Sequence, residues 1–249
     1  MMKMLKKMMK MKSNKVISFI IPCYNEEQFI RDCIRSIKDD TKNIPNIEII
    51  VIDNNCTDST ADIARDEGAI VISENQKGVV FARQRGYLES EYDLIANIDA
   101  DSRIPLGWTE TALKTMSDDT VVAVTGPLIY DDASLKLRFF VRLYYYLAYI
   151  CCLTIGVFLQ GGNCMIRKSA LDSLNGYDTT VAFYGEDTMT AKRLQQFGKI
   201  KFNMKLNLLS SSRRLSKQGV AKTTWLYFVS YLCVTFKGKP HTNEYKDFR

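Results

Sequence analysis

Short apolar runs alternate with amphipathic segments through the first half of this 249-residue chain, and that alternation constrains the fold most. "KVISFIIP", "NIEIIVIDN", "AIVISE", "YDLIANID" and "TVVAVTG" read as strands, because each is short, apolar and bounded by turn-forming residues. Between them "EEQFIRDCIRSIKDD", "CTDSTADIARDEG", "GVVFARQRGYLES" and "GWTETALKTMSD" read as helices. The second of these opens on a cluster of capping residues and closes on Gly68. Strands alternating with helices predict an α/β fold, its mostly parallel central sheet flanked by helices on both faces. Ligands of such sheets bind beyond the carboxyl ends of the strands. The polar clusters "PCYNEE", "DNNCTD", "SENQKG" and "DADSR" all fall there, so one edge gathers the chemistry-bearing residues.

Several functions are disfavoured. There is no glycine-rich dinucleotide fingerprint, and "GGNCM" lacks the lysine of a phosphate-binding loop. The net charge of +6 resides in residues 1–15, a basic extension with six lysines and no acid. Removing those six from 34 basic residues leaves 28, against 28 acids, so a broad nucleic-acid face is not expected. Seven cysteines without CxxC pairs and a single histidine, His241, argue against a zinc site and for reduced, mostly buried thiols. A cytoplasmic location follows as an expectation.

The second half is different in character. Residues 139–159, "FFVRLYYYLAYICCLTIGVFL", approach the length of a membrane span, but Arg142 interrupts them and the aromatics lie in the body. A buried or amphipathic helix is the first reading, ahead of a membrane-surface element and of a span. Residues 223–236, "TTWLYFVSYLCVTF", are aromatic-rich and too short to cross a bilayer. With the basic head, these runs make peripheral contact with the cytoplasmic face of a membrane credible.

Asp99 and Asp101 stand one residue apart where the fourth strand ends. Alone, such a common pair reads first as a solvated turn, with Asp99 capping the next helix. Two carboxylates held close repel unless a cation lies between them, and oxygen ligands without histidine suit Mg²⁺ or Mn²⁺. The wider pattern bears on this choice. "FIIPCYNEE", "VIDNNCTDST", "NIDADS", "GGNCMIRKSAL", "GED" and "SSRRL" follow one another at the order and spacing of family 2 glycosyltransferases with the GT-A fold. The resemblance covers roughly residues 16–215.

The resemblance implies roles for matching positions. Pro22 to Glu26 would hold the nucleotide of a sugar donor, with Tyr24 against the base. Asp53 or Asn54 would contact the base, although most relatives carry two acids there. Asp58 is read as a helix cap instead. Lys77 or Arg83 would reach donor phosphates or base, a surface ion pair being the other reading of Arg83. Asp99 would meet the ribose or base side, and Asp101 the metal and diphosphate. Ser102 stands where relatives often have a third acid. Asp187 would be the general base and Glu186 a partner of sugar hydroxyls, while either acid also suits a helix N-terminus. Gly161, Gly162 and Asn163 would line the sugar and acceptor pocket. Arg213 and Arg214 would approach the diphosphate unless they form only a basic surface turn.

The expected protein is therefore a GT-A catalytic domain over residues 16–220, followed by an aromatic-rich C-terminal segment and polar tail over 221–249. It would move one sugar from a UDP- or GDP-sugar to a hydroxyl of a glycan or lipid-linked acceptor, with inversion. A polyprenyl-phosphate transferase and a non-catalytic sugar-nucleotide-binding protein are the alternatives. A nucleotidylyltransferase is disfavoured because "PCYNEE" is not a glycine-rich basic loop, and a processive synthase because QxxRW is absent.

Overall fold

The computed structural model describes residues 16–154, 158–181, 185–213, 215 and 219–238. The basic head, Arg214 and the tail from residue 239 lie outside the described residues. Ten strands and eight helices appear in chain order among them. A seven-stranded sheet runs in the order β3-β2-β1-β4-β8-β6-β9. Its members are β1 (Ile17–Cys23), β2 (Ile47–Asp53), β3 (Ile70–Ser73), β4 (Leu94–Ile98), β6 (Val121–Thr125), β8 (Asn163–Arg167) and β9 (Lys199–Phe202). A small second sheet joins β5 (Ser102–Arg103), β10 (Leu208–Ser210) and β7 (Leu128–Ile129). A central sheet between helical layers is what the alternation predicts.

β1 is buried along its whole length, so its residues face two cores in turn. Phe19 and Ile21 meet α1 (Ile30–Thr41), α4 (Trp108–Met116) and α5 (Leu135–Thr154). Ile20 meets α3 (Val79–Glu89), α6 (Lys168–Asp172) and α7 (Glu186–Leu194). α1 buries Ile30, Cys33, Ile34 and Ile37, the stripe expected of a helix lying on a sheet. It begins four residues later than "EEQF" suggests. The Glu26 amide donates to Thr60 Oγ1 (2.8 Å) and the Glu27 amide to Asp58 Oδ2 (3.2 Å), which fastens this loop to the start of α2 (Thr60–Asp66). Asp58 also accepts from the Thr60 amide at 3.0 Å, so it ties two loops together as well as capping.

Two findings go beyond the sequence expectation. β8 runs antiparallel between β4 and β6, inside an otherwise parallel sheet. The aromatic run forms α5, which starts before residue 139 and ends at Thr154, and no helix among the described residues is long and apolar enough to cross a membrane. Residues 223–236 continue α8 (Val220–Leu232) into a π-helical turn, Cys233–Lys237, held on α7 by Lys192 Nζ donating to the Val234 and Thr235 carbonyls. The six described cysteines are free thiols.

At the sheet edge, the loop of residues 74–78 has no regular structure of its own and is tied to the end of β2 chiefly by Asn54, with longer bonds from Asn55 Nδ2 to the Glu74 (3.3 Å) and Asn75 (3.2 Å) carbonyls. Asn54 is buried; its Nδ2 donates to the carbonyls of Glu74 (2.8 Å) and Gln76 (2.7 Å), and its Oδ1 accepts the Gly78 amide (2.8 Å). An aspartate has the same shape but no N–H, so it would face two carbonyls with a buried charge. Asn54→Asp is expected to cost about 3 kcal/mol of unfolding free energy in urea titration. A loss below about 0.5 kcal/mol would show that the loop is held by other means.

Candidate active site

The carboxyl ends of β1, β2 and β4 converge with the start of β8 and the N-terminus of α7 around a cavity of about 1040 Å³. Pro22, Tyr24 and Glu26 enter its wall from β1, Asp99 and Asp101 from β4, and Lys77 and Arg83 from the loop and helix after β3. Gly162, Glu186, Asp187 and Arg213 complete the polar part. Residues far apart in sequence meet here because parallel strands end on one side.

Arg83 is the hub. It is 4% exposed, and its Nη2 donates to Asp99 Oδ1 (3.3 Å) while Nη1 donates to Asp187 Oδ1 (3.1 Å) and to Glu186 Oε1. The surface ion pair considered for this residue is therefore replaced by a buried bridge to three acids. Burial disfavours its charge, but Glu186, Asp187 and Asp99 outweigh that and hold the guanidinium well above its ordinary range. Burial likewise pushes the Glu186 carboxyl well above the usual carboxylate range, opposed by Arg83 and reinforced by Asp187. Both neighbouring acids line the cavity, and Asp187 is the more open, with a side chain 25% exposed against 7% for Glu186. Gly185, in the left-handed region at φ 94°, turns the chain so that α7 begins with this acid pair.

The glycine pair is required by packing. A Cβ on Gly161 would overlap Asp187 Oδ1 and Arg83 Nη1, and one on Gly162 would overlap the Asp99 carboxylate. The Gly162 carbonyl accepts the Asp99 amide at 3.3 Å, which seats the acid against β8. Asn163 departs from expectation: it is buried outside the cavity wall, as a strut. Its Oδ1 accepts Trp108 Nε1–H (2.9 Å), and its Nδ2 donates to the carbonyls of Leu206 (2.8 Å) and Pro127 (3.1 Å).

The donor-side residues also divide. Lys77 Nζ sits 4.2 Å from the centroid of the Tyr24 ring, so a cation and an aromatic face share this part of the wall. Glu26 is 2% exposed, and Arg213 Nη2 donates to both its oxygens at 2.8 and 2.9 Å; its carboxylate is turned to that arginine. The same nitrogen lies 3.3 Å from Asp101 Oδ2, and the guanidinium covers the Phe29 ring at 4.8 Å. Arg213 is thus more than a basic surface turn. Asp53 lies beside the cavity rather than in its wall; its Oδ1 accepts the Cys56 amide at 2.9 Å. Asn54 borders the cavity, and both its amide hydrogens are used by the 74–78 loop.

Among the described residues no three His, Cys, Asp or Glu side chains converge as a metal cage. The partly exposed carboxylates of Asp101 and Asp99 do fit a small hard cation that takes its remaining ligands from a substrate's phosphates and water. The guanidinium beside Asp101 marks a position where positive charge is favoured.

The sequence reading missed the other half of the cavity. Its far walls are Phe140, Leu143, Tyr144 and Leu147 of α5, Phe158 in the following loop, and Trp225 and Phe228 of α8. Tyr145 O–H donates to Gln160 Oε1 (3.2 Å), linking α5 to the residue before the glycine pair. Nothing in the spacing of those aromatics distinguishes a cavity wall from a core.

Residues 18–174 match the family described as Glycosyl transferase family 2, well over half of the chain. Glycosyltransferase AglE of Haloferax volcanii is 33% identical over 116 residues, 44% of this chain and 38% of that protein. Protein RfbJ of Shigella flexneri is 42% identical over 85 residues, 34% of this chain and 64% of that protein. The matches thus span less than two thirds of these relatives. Among solved structures, a mannosyltransferase from Pyrobaculum calidifontis superposes with a TM-score of 0.71 at 18% identity, covering 95% of this chain and 70% of that one. Glucosyl-3-phosphoglycerate synthase from Mycobacterium tuberculosis superposes at 0.66 and 20% identity, covering 96% and 84%. With the matched family segment running from β1 through the glycine pair, the chain belongs to glycosyl transferase family 2.

Proposed function

We propose that this protein transfers one sugar from a nucleoside-diphosphate sugar to an acceptor hydroxyl, in a single displacement that inverts the anomeric carbon. The observation that carries this reading is that Asp187 and the Asp99–Asp101 pair open on one cavity, with Arg83 bridging Asp187 to Asp99. A base and a phosphate-binding edge are thereby held apart by a fixed cation. The similar structures support the donor class: one is described with GDP-Man and Mn²⁺, the other with UDP-glucose and Mn²⁺.

In this mechanism Pro22, Tyr24 and Lys77 hold the nucleotide at the ends of β1 and β3. Asp101, with Asp99 beside it, would hold Mg²⁺ or Mn²⁺ against the donor diphosphate. When bound, that ion neutralises the charge developing on the departing nucleoside diphosphate. Arg213 supplies a guanidinium at the same place, suited to phosphate oxygens. Asp187 accepts the proton of the acceptor hydroxyl as its oxygen attacks C1, and the sugar–phosphate bond breaks on the opposite face. Glu186, paired with Arg83 beside Asp187, adds a second hydrogen-bonding group at this end of the cavity. One carboxylate base suffices, since no covalent sugar–enzyme step is needed. A phosphate acceptor would already be ionised, so an acid placed as Asp187 is placed favours a hydroxyl.

Asp187→Asn is expected to lower kcat by about 10²–10⁴-fold in a nucleoside-diphosphate release assay, while calorimetric binding of the nucleotide stays within about twofold. Activity retained in that variant would remove the hydroxyl-acceptor mechanism. Titration of UDP and GDP with and without Mn²⁺ tests the donor side: one of them should bind at least about tenfold tighter with metal, and Asp101→Asn should abolish that gain. If neither nucleotide binds in the presence of metal, the donor reading fails.

A further inference from the structure

The cavity that holds Asp187 and Asp101 does not end at the polar residues. It runs on without interruption between α5 and α8, where Phe140, Leu143, Leu147 and Phe228 form its walls. These four side chains offer no hydrogen-bonding atom, so a glycan lying against them would find no partner on that wall, although Tyr144, Tyr227 and Tyr231 stand in the same cavity. An alkyl or isoprenyl chain fits the same walls. Outside the groove α5 remains apolar: Leu135 is 82% exposed, Phe139 66% and Leu153 67%, and Trp225 of α8, at the groove wall, is 64% exposed. Isolated exposed apolar residues are ordinary, but a contiguous face of this kind marks an interaction surface.

Charge narrows the partner. α5 carries Lys136, Arg138 and Arg142, and neither helix contains an acidic residue. An apolar face with basic residues and no acid is matched to an anionic bilayer surface, on which such helices lie without crossing. A second copy of the chain would bring like charges together and close the outer end of the groove, through which an acceptor must reach Asp187.

The geometry points to a lipid-linked saccharide as the acceptor, its hydrocarbon chain lying between α5 and α8 while those helices rest on the bilayer that supplies it. This deepens the transferase reading above and rests on it, because it takes Asp187 as the base at the groove's inner end.

The chain has two tryptophans, and Trp108 is 1% exposed, so changes in emission report Trp225 at the groove. Octyl, decyl and dodecyl β-glucosides, titrated below their critical micelle concentrations, are expected to bind progressively more tightly, by up to about tenfold per two added methylenes. Phe140 is 62% exposed, so Phe140→Asp should fold; it is expected to reduce that progression to about twofold or less. An affinity independent of chain length in the unmodified protein overturns the proposal. Vesicles of phosphatidylcholine doped with phosphatidylglycerol should co-sediment with the protein and not with a Phe139→Asp, Trp225→Asp double variant. A lipid-free dimer by ultracentrifugation that the double variant dissociates, together with no sedimentation on vesicles, would assign this face to self-association and overturn it too. Nucleotide titration with Mn²⁺ separates the two levels. Nucleotide binding without chain-length dependence defeats this inference alone, and the reverse defeats the donor reading.

Discussion

Arg83 is placed where water cannot screen it, and three acids from different parts of the chain are arranged around it. Asp99 comes from the end of β4, Glu186 and Asp187 from the start of α7, and the arginine from the middle of α3. Burying a guanidinium is costly, and burying a carboxylate such as that of Glu186 is too; together they are tolerated only when each satisfies the other. Removal of one partner from such a cluster costs about 3–5 kcal/mol, because the remaining charges stay buried and uncompensated. The base, the acid pair at the β4 end and the helix that carries the arginine therefore keep their positions as a unit. The glycine pair follows from this: the carboxylates approach the β8 start so closely that no side chain fits.

A second cation, Arg213, balances the other side of the cavity, where Glu26 and Asp101 would otherwise face each other. It precedes α8 in the chain, so the residue that balances Glu26 and Asp101 and one of the two apolar helices lie close in sequence. The cavity is polar at one end and hydrocarbon at the other. The proposed transfer uses the first, and the proposed acceptor chain the second.

Much of the fold was legible because β-branched runs and helical periods are local signals. β1, β2, β3, β4 and β6 appear where their apolar runs stand. β8 was not legible: "NCMIR" is five residues long without alternation, and its antiparallel placement depends on strands distant in sequence. Asp99 and Asp101 could be located because parallel topology assigns strand ends to one edge, whereas Glu186 and Asp187, at the start of α7, were reached through the family resemblance. The roles of Arg83, Asn54 and Asn163 could not be read. Whether an arginine in the middle of α3 faces water or three carboxylates depends on the rotation of that helix against the sheet. Whether an amide reads a ligand or ties loops depends on which carbonyls surround it. α5 resisted for a similar reason: aromatics on several of its faces conceal which one is covered.

Asn54 carries a consequence for how this site can change over time. Its two N–H groups meet the carbonyls of Glu74 and Gln76, and its oxygen meets the Gly78 amide. An ancestral or descendant sequence with an acid at this position would need a turn that presents N–H groups where this one presents carbonyls. Residue 54 and the backbone of residues 74–78 are thus a lock with two halves. A single-step exchange of either half leads through a less stable intermediate, so lineages are expected to alter them together.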